Sequence, residues 1–144
     1  MAAFHLLVID DNPADVRLTI QAIAEAGLPC GITIANDGET AIQRLATLEK
    51  LPDLILLDLN MPGKSGIQLV AELKSSPRTR NIPVIMLSSS TSEVDIESAY
   101  RASANCYIVK PLTFEAYAGV IAALSSFWFN VAMLPTQKRE ITIH

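Results

Sequence analysis

The chain has 144 residues, the size of one ordinary domain, and half of them are hydrophobic, which is enough for a substantial core. Eleven basic and fifteen acidic side chains give a net charge of −4, which argues against a nucleic-acid-binding surface, since that needs a concentrated basic patch. No apolar run approaches the roughly 20 residues of a membrane-spanning helix, and residues 1–8 lack the basic start of a signal peptide. We therefore expect a cytoplasmic protein with neither a nucleic-acid partner nor a membrane partner.

Short apolar runs alternate with longer segments of helical periodicity along most of the chain. This alternation predicts five strands, each followed by a helix. The predicted strands cover residues 4–9, 32–35, 54–57, 83–87 and 106–109. The predicted helices cover residues 15–26, 38–48, 65–73, 92–101 and 114–129.

Strands that are apolar on both faces and are separated by helices are typical of a parallel sheet covered on both sides. Right-handed crossovers then predict an α/β doubly wound, flavodoxin-like fold whose five parallel strands follow the order 2-1-3-4-5. We assign residues 1–134 to this one domain, including an extended C-terminal helix. Residues 135–144 are expected to form a C-terminal tail.

Polar side chains follow four of the five predicted strands. Asp10 and Asp11 come directly after the first strand, and Asp58 comes after the third. Ser88 follows the fourth strand, and Lys110 follows the fifth. Because ligands of such sheets bind outside the carboxyl ends of the strands, we expect these five side chains to meet at one edge.

The three carboxylates of this group predict a Mg²⁺ site. Clustered carboxylates repel one another unless a cation compensates their charge, and Mg²⁺ prefers oxygen ligands while it keeps several waters. Lys110 adds a second positive group and Ser88 a hydroxyl donor, which together suit the oxygens of a phosphoryl group. Asp58 is the best candidate for a carboxylate that accepts phosphate, because it ends the most apolar strand and is followed by a loop at the rim.

The strand ends carry an ordered set of motifs, in which no single element is specific but the combination is. They are Asp10-Asp11, Asp58-x-x-Met61-Pro62-x-x-x-Gly66, Ser88, and Tyr107-x-x-Lys110-Pro111. In order, spacing and placement these motifs make the chain, over residues 4–128, resemble the response-regulator receiver family.

The resemblance implies a role for each matching residue. Asp58 would accept the phosphoryl group, and Asp11, Asp58 and the backbone carbonyl of Asn60 would bind Mg²⁺ directly. Asp10 would act through metal-bound water. In the same way, Ser88 and Lys110 would contact the phosphoryl group, and Tyr107 would be the aromatic switch residue that reorients with Ser88.

Two further segments, residues 105–111 and 127–135, look like those of the stand-alone response regulators that partner bacterial phytochrome kinases. That resemblance implies a sensor histidine kinase, specifically a bacterial phytochrome, as partner. It also implies a homodimer formed through the fourth helix, fifth strand and fifth helix. At about 100° per residue, the last helix carries a second apolar stripe beside the one that faces its own core. The residues expected at the dimer interface are Val120, Phe127, Trp128, Val131 and Leu134.

The sequence departs from the family pattern at Ser103, where many members have glycine, and the replacement predicts a different loop shape after the fourth helix. We expect a phosphoacceptor that assists its own phosphorylation and dephosphorylation rather than an enzyme. Two alternatives stay open. One is an aspartyl-phosphate hydrolase of the haloacid-dehalogenase type, although Asn60 stands where such enzymes have a second acid. The other is a receiver that is never phosphorylated and serves only for docking.

Overall fold

Five parallel strands form one sheet in a computed structural model that describes residues 4–134. The strands are β1 (Phe4–Ile9), β2 (Cys30–Ala35), β3 (Leu54–Leu57), β4 (Val84–Ser88) and β5 (Cys106–Val109). Their order, β2-β1-β3-β4-β5, confirms the predicted topology. Every residue of β3 and β4 is buried, which explains why these segments are almost entirely apolar. The predicted tail, residues 135–144, lies outside the described residues.

Five helices alternate with the strands, and each begins at a side chain that accepts a hydrogen bond from a backbone amide of the first turn. The helices are α1 (Pro13–Glu25), α2 (Gly38–Thr47), α3 (Gly66–Ser75), α4 (Glu93–Arg101) and α5 (Phe114–Ser125). The capping residues are Asn12, Asp37, Ser65, Ser92 and Thr113. These caps satisfy amides that have no partner within the helix, so they set where each helix begins.

The helices cover both faces of the sheet because alternate residues of a strand point to opposite sides. One core includes Leu7, Ile55 and Leu69 and lies between the sheet and α2, α3 and α4. The other includes Val8 and Ile121 and lies between the sheet and α1 and α5. Among the described residues, no helix has the length and apolar character needed to cross a membrane.

The C-terminal helical segment differs from the single α-helix predicted over residues 114–129. The α-helix ends at Ser125, and the chain continues as a π-helical segment, Ser126–Val131. A π-helix bonds each residue to the fifth rather than the fourth along the chain, so residues beyond Ser125 leave the stripes expected at about 100° per residue. Phe129 packs against Phe4 at the start of β1, with ring centroids 3.7 Å apart.

The C-terminus of α4 is closed by a residue in the left-handed conformation, Ser103, whose φ is 79°. Its N–H donates to the carbonyl of Tyr100 (2.9 Å), and the N–H of Ala104 donates to the carbonyl of Ala99 (3.0 Å). This pair of bonds is the Schellman motif that glycine usually serves. The prediction of a different loop shape is therefore wrong, since the left-handed turn is kept and the serine is strained in it.

Replacing Ser103 by glycine is expected to stabilise the protein by about 1 kcal/mol, because glycine adopts this φ without the steric cost of a Cβ. Urea unfolding would show a higher midpoint with an unchanged slope. A matched control is Ser76→Gly at the end of α3, where φ is −91° and glycine brings only extra freedom in the unfolded chain. An equal or lower midpoint for Ser103→Gly than for wild type would contradict the assignment of strain.

Candidate functional site

Three carboxylates meet at the carboxyl edge of the sheet, where β1 and β3 end side by side. The N–H of Asp58 donates to the carbonyl of Ile9 (2.9 Å), so the sheet ladder itself places Asp58 next to Asp10 and Asp11. One carboxylate oxygen from each of these three acids lies within 4.8 Å of the others. Asp10 and Asp58 are buried, whereas Asp11 is exposed. Carboxylate oxygens gathered this closely fit a divalent cation of the hard, oxygen-binding class.

The ammonium group of Lys110 lies among these acids. Its Nζ is 2.8 Å from Oδ2 of Asp15, 3.1 Å from Oδ2 of Asp10 and 3.4 Å from Oδ1 of Asp58. The backbone N–H of Lys110 donates to the carbonyl of Ser88 (2.7 Å), which fixes the residue at the end of β5. Burial alone would lower the pKa of Lys110, but the hydrogen bond to Asp15 and the charges of Asp10 and Asp58 raise it above its ordinary value. Lys110 is therefore a permanently charged group of the site.

The surroundings of Asp58 favour the neutral form of its carboxyl group, whereas those of Lys110 favour the charged form of its ammonium. Burial raises its pKa from 3.8 to about 6, the charge of Lys110 opposes the rise, and the charges of Asp10 and Asp11 add to it. A further cation beside the three carboxylates would favour the ionised form and lower this pKa again. The site is thus built to attract positive charge.

Helix α3 begins directly behind Asp58 because Gly66 has no side chain. A Cβ at Gly66 would lie 2.4 Å from the carbonyl oxygen of Asp58 and 2.8 Å from Cα of Leu59. The N–H of Gly66 also donates to the carbonyl of Leu59 (2.9 Å). Asn60 lies exposed in the loop that this contact holds. The glycine of the motif therefore fixes the path of the chain just after Asp58.

The two predicted switch residues, Ser88 and Tyr107, are joined by the loop between β4 and α4. Oγ of Ser88, which is fully buried, accepts the N–H of Ser90 (3.2 Å), and the hydroxyl of Tyr107 donates to the carbonyl of Ser90 (2.8 Å). The hydroxyl of Ser90 donates to the carboxylate of Asp95 in α4 (2.6 Å). Ser90 therefore links the strand end, the tyrosine and α4 through three hydrogen bonds.

Asp15 is the charged residue of this site that the sequence analysis misses. The sequence places it only at the start of a helix, yet its carboxylate makes the shortest contact with Lys110. Because α1 begins at Pro13, two residues earlier than predicted, Asp15 lies in the first turn of a helix that starts at the same sheet edge. The sequence allows a cap at Asn12, but the position of a residue in a helix does not by itself report a contact with Lys110.

The residues predicted for a dimer interface lie along α5 and the π-helical segment. Phe127 is 50% exposed, and Val120 and Trp128 are half-buried and line a surface groove with residues of β5. Leu134 is only 3% exposed, so it is packed inside the protein and its assignment to an exposed interface is wrong. The side chain of Val131 lies outside the described part of the structure.

The raised pKa of Asp58 predicts how this residue affects stability in the absence of metal. Because the folded state binds this proton more tightly than the unfolded chain, the contribution of Asp58 to stability is lost as pH rises from about 3.8 to about 6. We expect Asp58→Asn to be more stable than wild type by about 2 kcal/mol at pH 8 in EDTA, with the difference vanishing near pH 4. Urea unfolding at several pH values measures it, and Glu25→Gln on α1 serves as the charge-matched control. A pH-independent difference would contradict the buried-acid explanation.

Comparison with known proteins gives matches over nearly the whole chain. The response regulator receiver domain model matches residues 6–122. The response regulator Rcp1 of Synechocystis sp. is 33% identical over 135 residues, which is 90% of this chain and 92% of that protein. The probable methanogenesis regulatory protein FilR2 of Methanothrix harundinacea is 34% identical over 131 residues, which is 88% of this chain and 84% of that protein.

Solved structures give the same result. The phosphorylated cyanobacterial phytochrome response regulator RcpA matches with a TM-score of 0.88 and 37% identity, covering 93% of this chain and 99% of that chain. The Mn²⁺-bound form of Rcp1 matches with a TM-score of 0.85 and 31% identity, covering 92% and 99%. Since the family match over residues 6–122 begins within β1, takes in β2 to β5 and ends within α5, this chain belongs to the response regulator receiver domain family.

Proposed function

We propose that this protein accepts a phosphoryl group on Asp58 from the phosphohistidine of a sensor histidine kinase. The observation that carries the proposal is the gathering of three carboxylate oxygens within 4.8 Å, with the Lys110 ammonium 3.4 Å from Asp58. Clustered like charges repel one another and cost free energy, and neither the sheet core nor the helix surfaces need such a cluster in order to fold. Membership of the receiver family favours this function over the hydrolase alternative.

Mg²⁺ is the proposed cofactor, with Asp11, Asp58 and the backbone carbonyl of Asn60 as direct ligands and Asp10 acting through water. The acid cluster supports this assignment, and the relative Rcp1 has been solved in a Mn²⁺-bound form. When bound, such an ion supplies positive charge for the oxygens of the phosphoryl group.

Asp58 supplies the nucleophile. One of its carboxylate oxygens attacks phosphorus while the bond from phosphorus to the donor nitrogen breaks, which leaves an acyl phosphate on Asp58 and a free imidazole on the donor. Lys110 stabilises the charge that spreads over the phosphoryl oxygens. Ser88 accepts the N–H of Ser90 at its Oγ, so its own hydroxyl hydrogen can be donated to one of those oxygens.

The signal would leave the site through the Ser90 linkage. When the Ser88 hydroxyl turns toward the phosphoryl group, its hydrogen bond to the Ser90 N–H weakens. The loop that carries Ser90 is then free to move. The Ser90 carbonyl would then lose its hydrogen bond from the Tyr107 hydroxyl, and the Ser90 hydroxyl would lose its hydrogen bond to the Asp95 carboxylate. Both changes would reshape the surface formed by α4 and β5, as in other phosphorylation switches.

We propose a bacterial phytochrome as the kinase. The support is the 37% identity to RcpA over 93% of this chain, since RcpA is described as a cyanobacterial phytochrome response regulator. The tyrosine-containing segment at residues 105–111 and the aromatic segment at residues 127–135 resemble the same group of regulators. FilR2, at a similar identity, is a regulator of another process, so phosphotransfer from candidate kinases is the deciding measurement.

We also propose a homodimer through α4, β5 and α5, including the π-helical segment. Large hydrophobic side chains are exposed on α4, on β5 and on the π-helical segment: Val94 (72%) and Tyr100 (49%), Val109 (39%), and Phe127 (50%). Exposed apolar patches of this kind mark interfaces, and a two-fold dimer is the simplest closed assembly. The same surface lies next to Tyr107, so phosphorylation and dimerisation would be coupled.

Phosphorylation of Asp58 is tested by intact mass after incubation with acetyl phosphate and Mg²⁺. Wild type is expected to gain the mass of one phosphoryl group, and Asp58→Asn to gain none, because the amide cannot act as the nucleophile. Glu49→Gln, which removes an exposed acid elsewhere, is expected to behave like wild type. No adduct on wild type would favour the docking-only alternative, and an undiminished adduct on Asp58→Asn would refute the assigned acceptor.

Phe127→Glu is expected to weaken self-association at least about tenfold, because a charge replaces a half-exposed aromatic side chain in the proposed interface. Sedimentation velocity with and without phosphorylation measures the effect. Gln43→Glu places the same charge on an exposed side chain of α2, an element outside the proposed surface, and is expected to leave association unchanged. A wild-type protein that is monomeric in both states would rule out the dimer.

A further inference from the structure

Asp15 is not one of the three carboxylates that fit a divalent cation, yet it holds Lys110 more closely than they do. Lys110 Nζ is 2.8 Å from Asp15, against 3.1 Å from Asp10 and 3.4 Å from Asp58. A lysine ammonium has three N–H donors and no acceptor. With three carboxylates around it, each donor already has a partner.

We propose that Asp15 is a positioning residue that competes with Asp58 for the Lys110 ammonium in the resting protein and thereby slows phosphorylation. This inference rests on the proposed function of Asp58 as the phosphate acceptor. An arriving phosphoryl oxygen needs one of the three Lys110 donors, so one carboxylate must release its hydrogen bond. The bond to Asp15 is the shortest of the three, 2.8 Å against 3.4 Å for the bond to Asp58, so the ammonium lies nearer to the carboxylate on α1.

The position of Asp15 is fixed from α1, independently of the loop that follows Asp58. The side chain of Asn12 accepts the N–H of Asp15 (3.3 Å), and the hydroxyl of Thr19 donates to the carbonyl of Asp15 (3.0 Å). Oγ1 of Thr19 lies 2.6 Å from the hydroxyl of Tyr117 in α5, and both residues are buried. The backbone of Asp15 is therefore anchored to the packed pair α1–α5, while Lys110 follows β5 and carries a long flexible side chain.

The charge of Asp15 acts in the same direction as its hydrogen bond. A phosphoryl donor is an anion, and a fourth carboxylate beside Asp10, Asp11 and Asp58 repels it. Removing that charge weakens the repulsion and releases a donor of Lys110 for the phosphoryl oxygens. Both effects predict faster phosphorylation when Asp15 is neutral.

The test is the rate at which acetyl phosphate and Mg²⁺ add a phosphoryl group, followed by intact mass. Asp15→Asn keeps the size and the backbone contacts of the residue but removes its charge, and we expect a rate about fivefold above wild type. Asp15→Glu restores a carboxylate and is expected to return the rate toward wild type. Glu25→Gln removes one negative charge about 15 Å along the same helix and is expected to change nothing.

A second measurement shows whether Asp15 acts through Lys110. In a Lys110→Met background, Asp15→Asn is expected to accelerate phosphorylation less than about twofold, because the partner it releases is gone. The NMR signal of the Lys110 ammonium, assigned by its loss in Lys110→Met, is expected to move in Asp15→Asn but not in Glu25→Gln.

The possible results distinguish a failure of this inference from a failure of the proposed function. An Asp15→Asn rate equal to or below wild type would overturn the inference, and so would a full acceleration in the Lys110→Met background. A wild-type protein that takes no phosphate would count against the proposed function, and with it against the effect on rate. In that case the ammonium signal still decides whether Asp15 holds Lys110.

Discussion

Mutual repulsion of the carboxylates at the ends of β1 and β3 is the constraint around which the rest of the site is arranged. The sheet ladder brings Asp58 beside Asp10, and burial raises the pKa of Asp58 to about 6. Lys110 offsets part of this cost and is itself held in its charged form by Asp15 and the acids around it. Because Lys110 offsets only part of the carboxylate charge, the site attracts further cations. It therefore suits chemistry in which a divalent ion and a phosphoryl group arrive together.

The surrounding fold separates what must stay in place from what must move. Strands β3 and β4 are buried at every residue, and Gly66 packs α3 against the backbone of Asp58, so the accepting carboxylate has little freedom. The loop after β4 is held mainly by the hydrogen bonds of Ser90 to Ser88, Tyr107 and Asp95. Hydrogen bonds of this kind can be exchanged at small net cost, whereas a packed core cannot be rearranged so easily. On the proposed mechanism, the rigid part would hold the accepting carboxylate, and the loop would transmit its phosphorylation state.

The fold and the main residues of the site could be predicted because both depend on short-range patterns. Apolar runs identify strands, and the residue that follows each strand is delivered to one known edge of a parallel sheet, which is how Asp58 and Lys110 were brought together. Asp15 could not be found this way, because it lies in the first turn of α1 and does not directly follow a strand. The burial of Leu134 and the π-helical segment depend on packing of the C-terminal chain, which periodicity does not report. The strained turn at Ser103 is kept because the Schellman hydrogen bonds outweigh the steric cost of a Cβ.

On the proposed mechanism, two connections leave the phosphorylation site through groups that the phosphoryl oxygens would recruit. The Ser88 hydroxyl leads through Ser90 to α4 and Tyr107, and the Lys110 ammonium leads through Asp15 to α1. The second connection continues to α5, because Thr19, one turn after Asp15, is hydrogen-bonded to Tyr117. One phosphoryl group would therefore exchange hydrogen-bond partners on both sides of the site, while the packed pair α1–α5 stays in place. The change would therefore reach the proposed dimer surface through α4 and Tyr107, because Tyr117 and Ile121 hold α5 in the packed core.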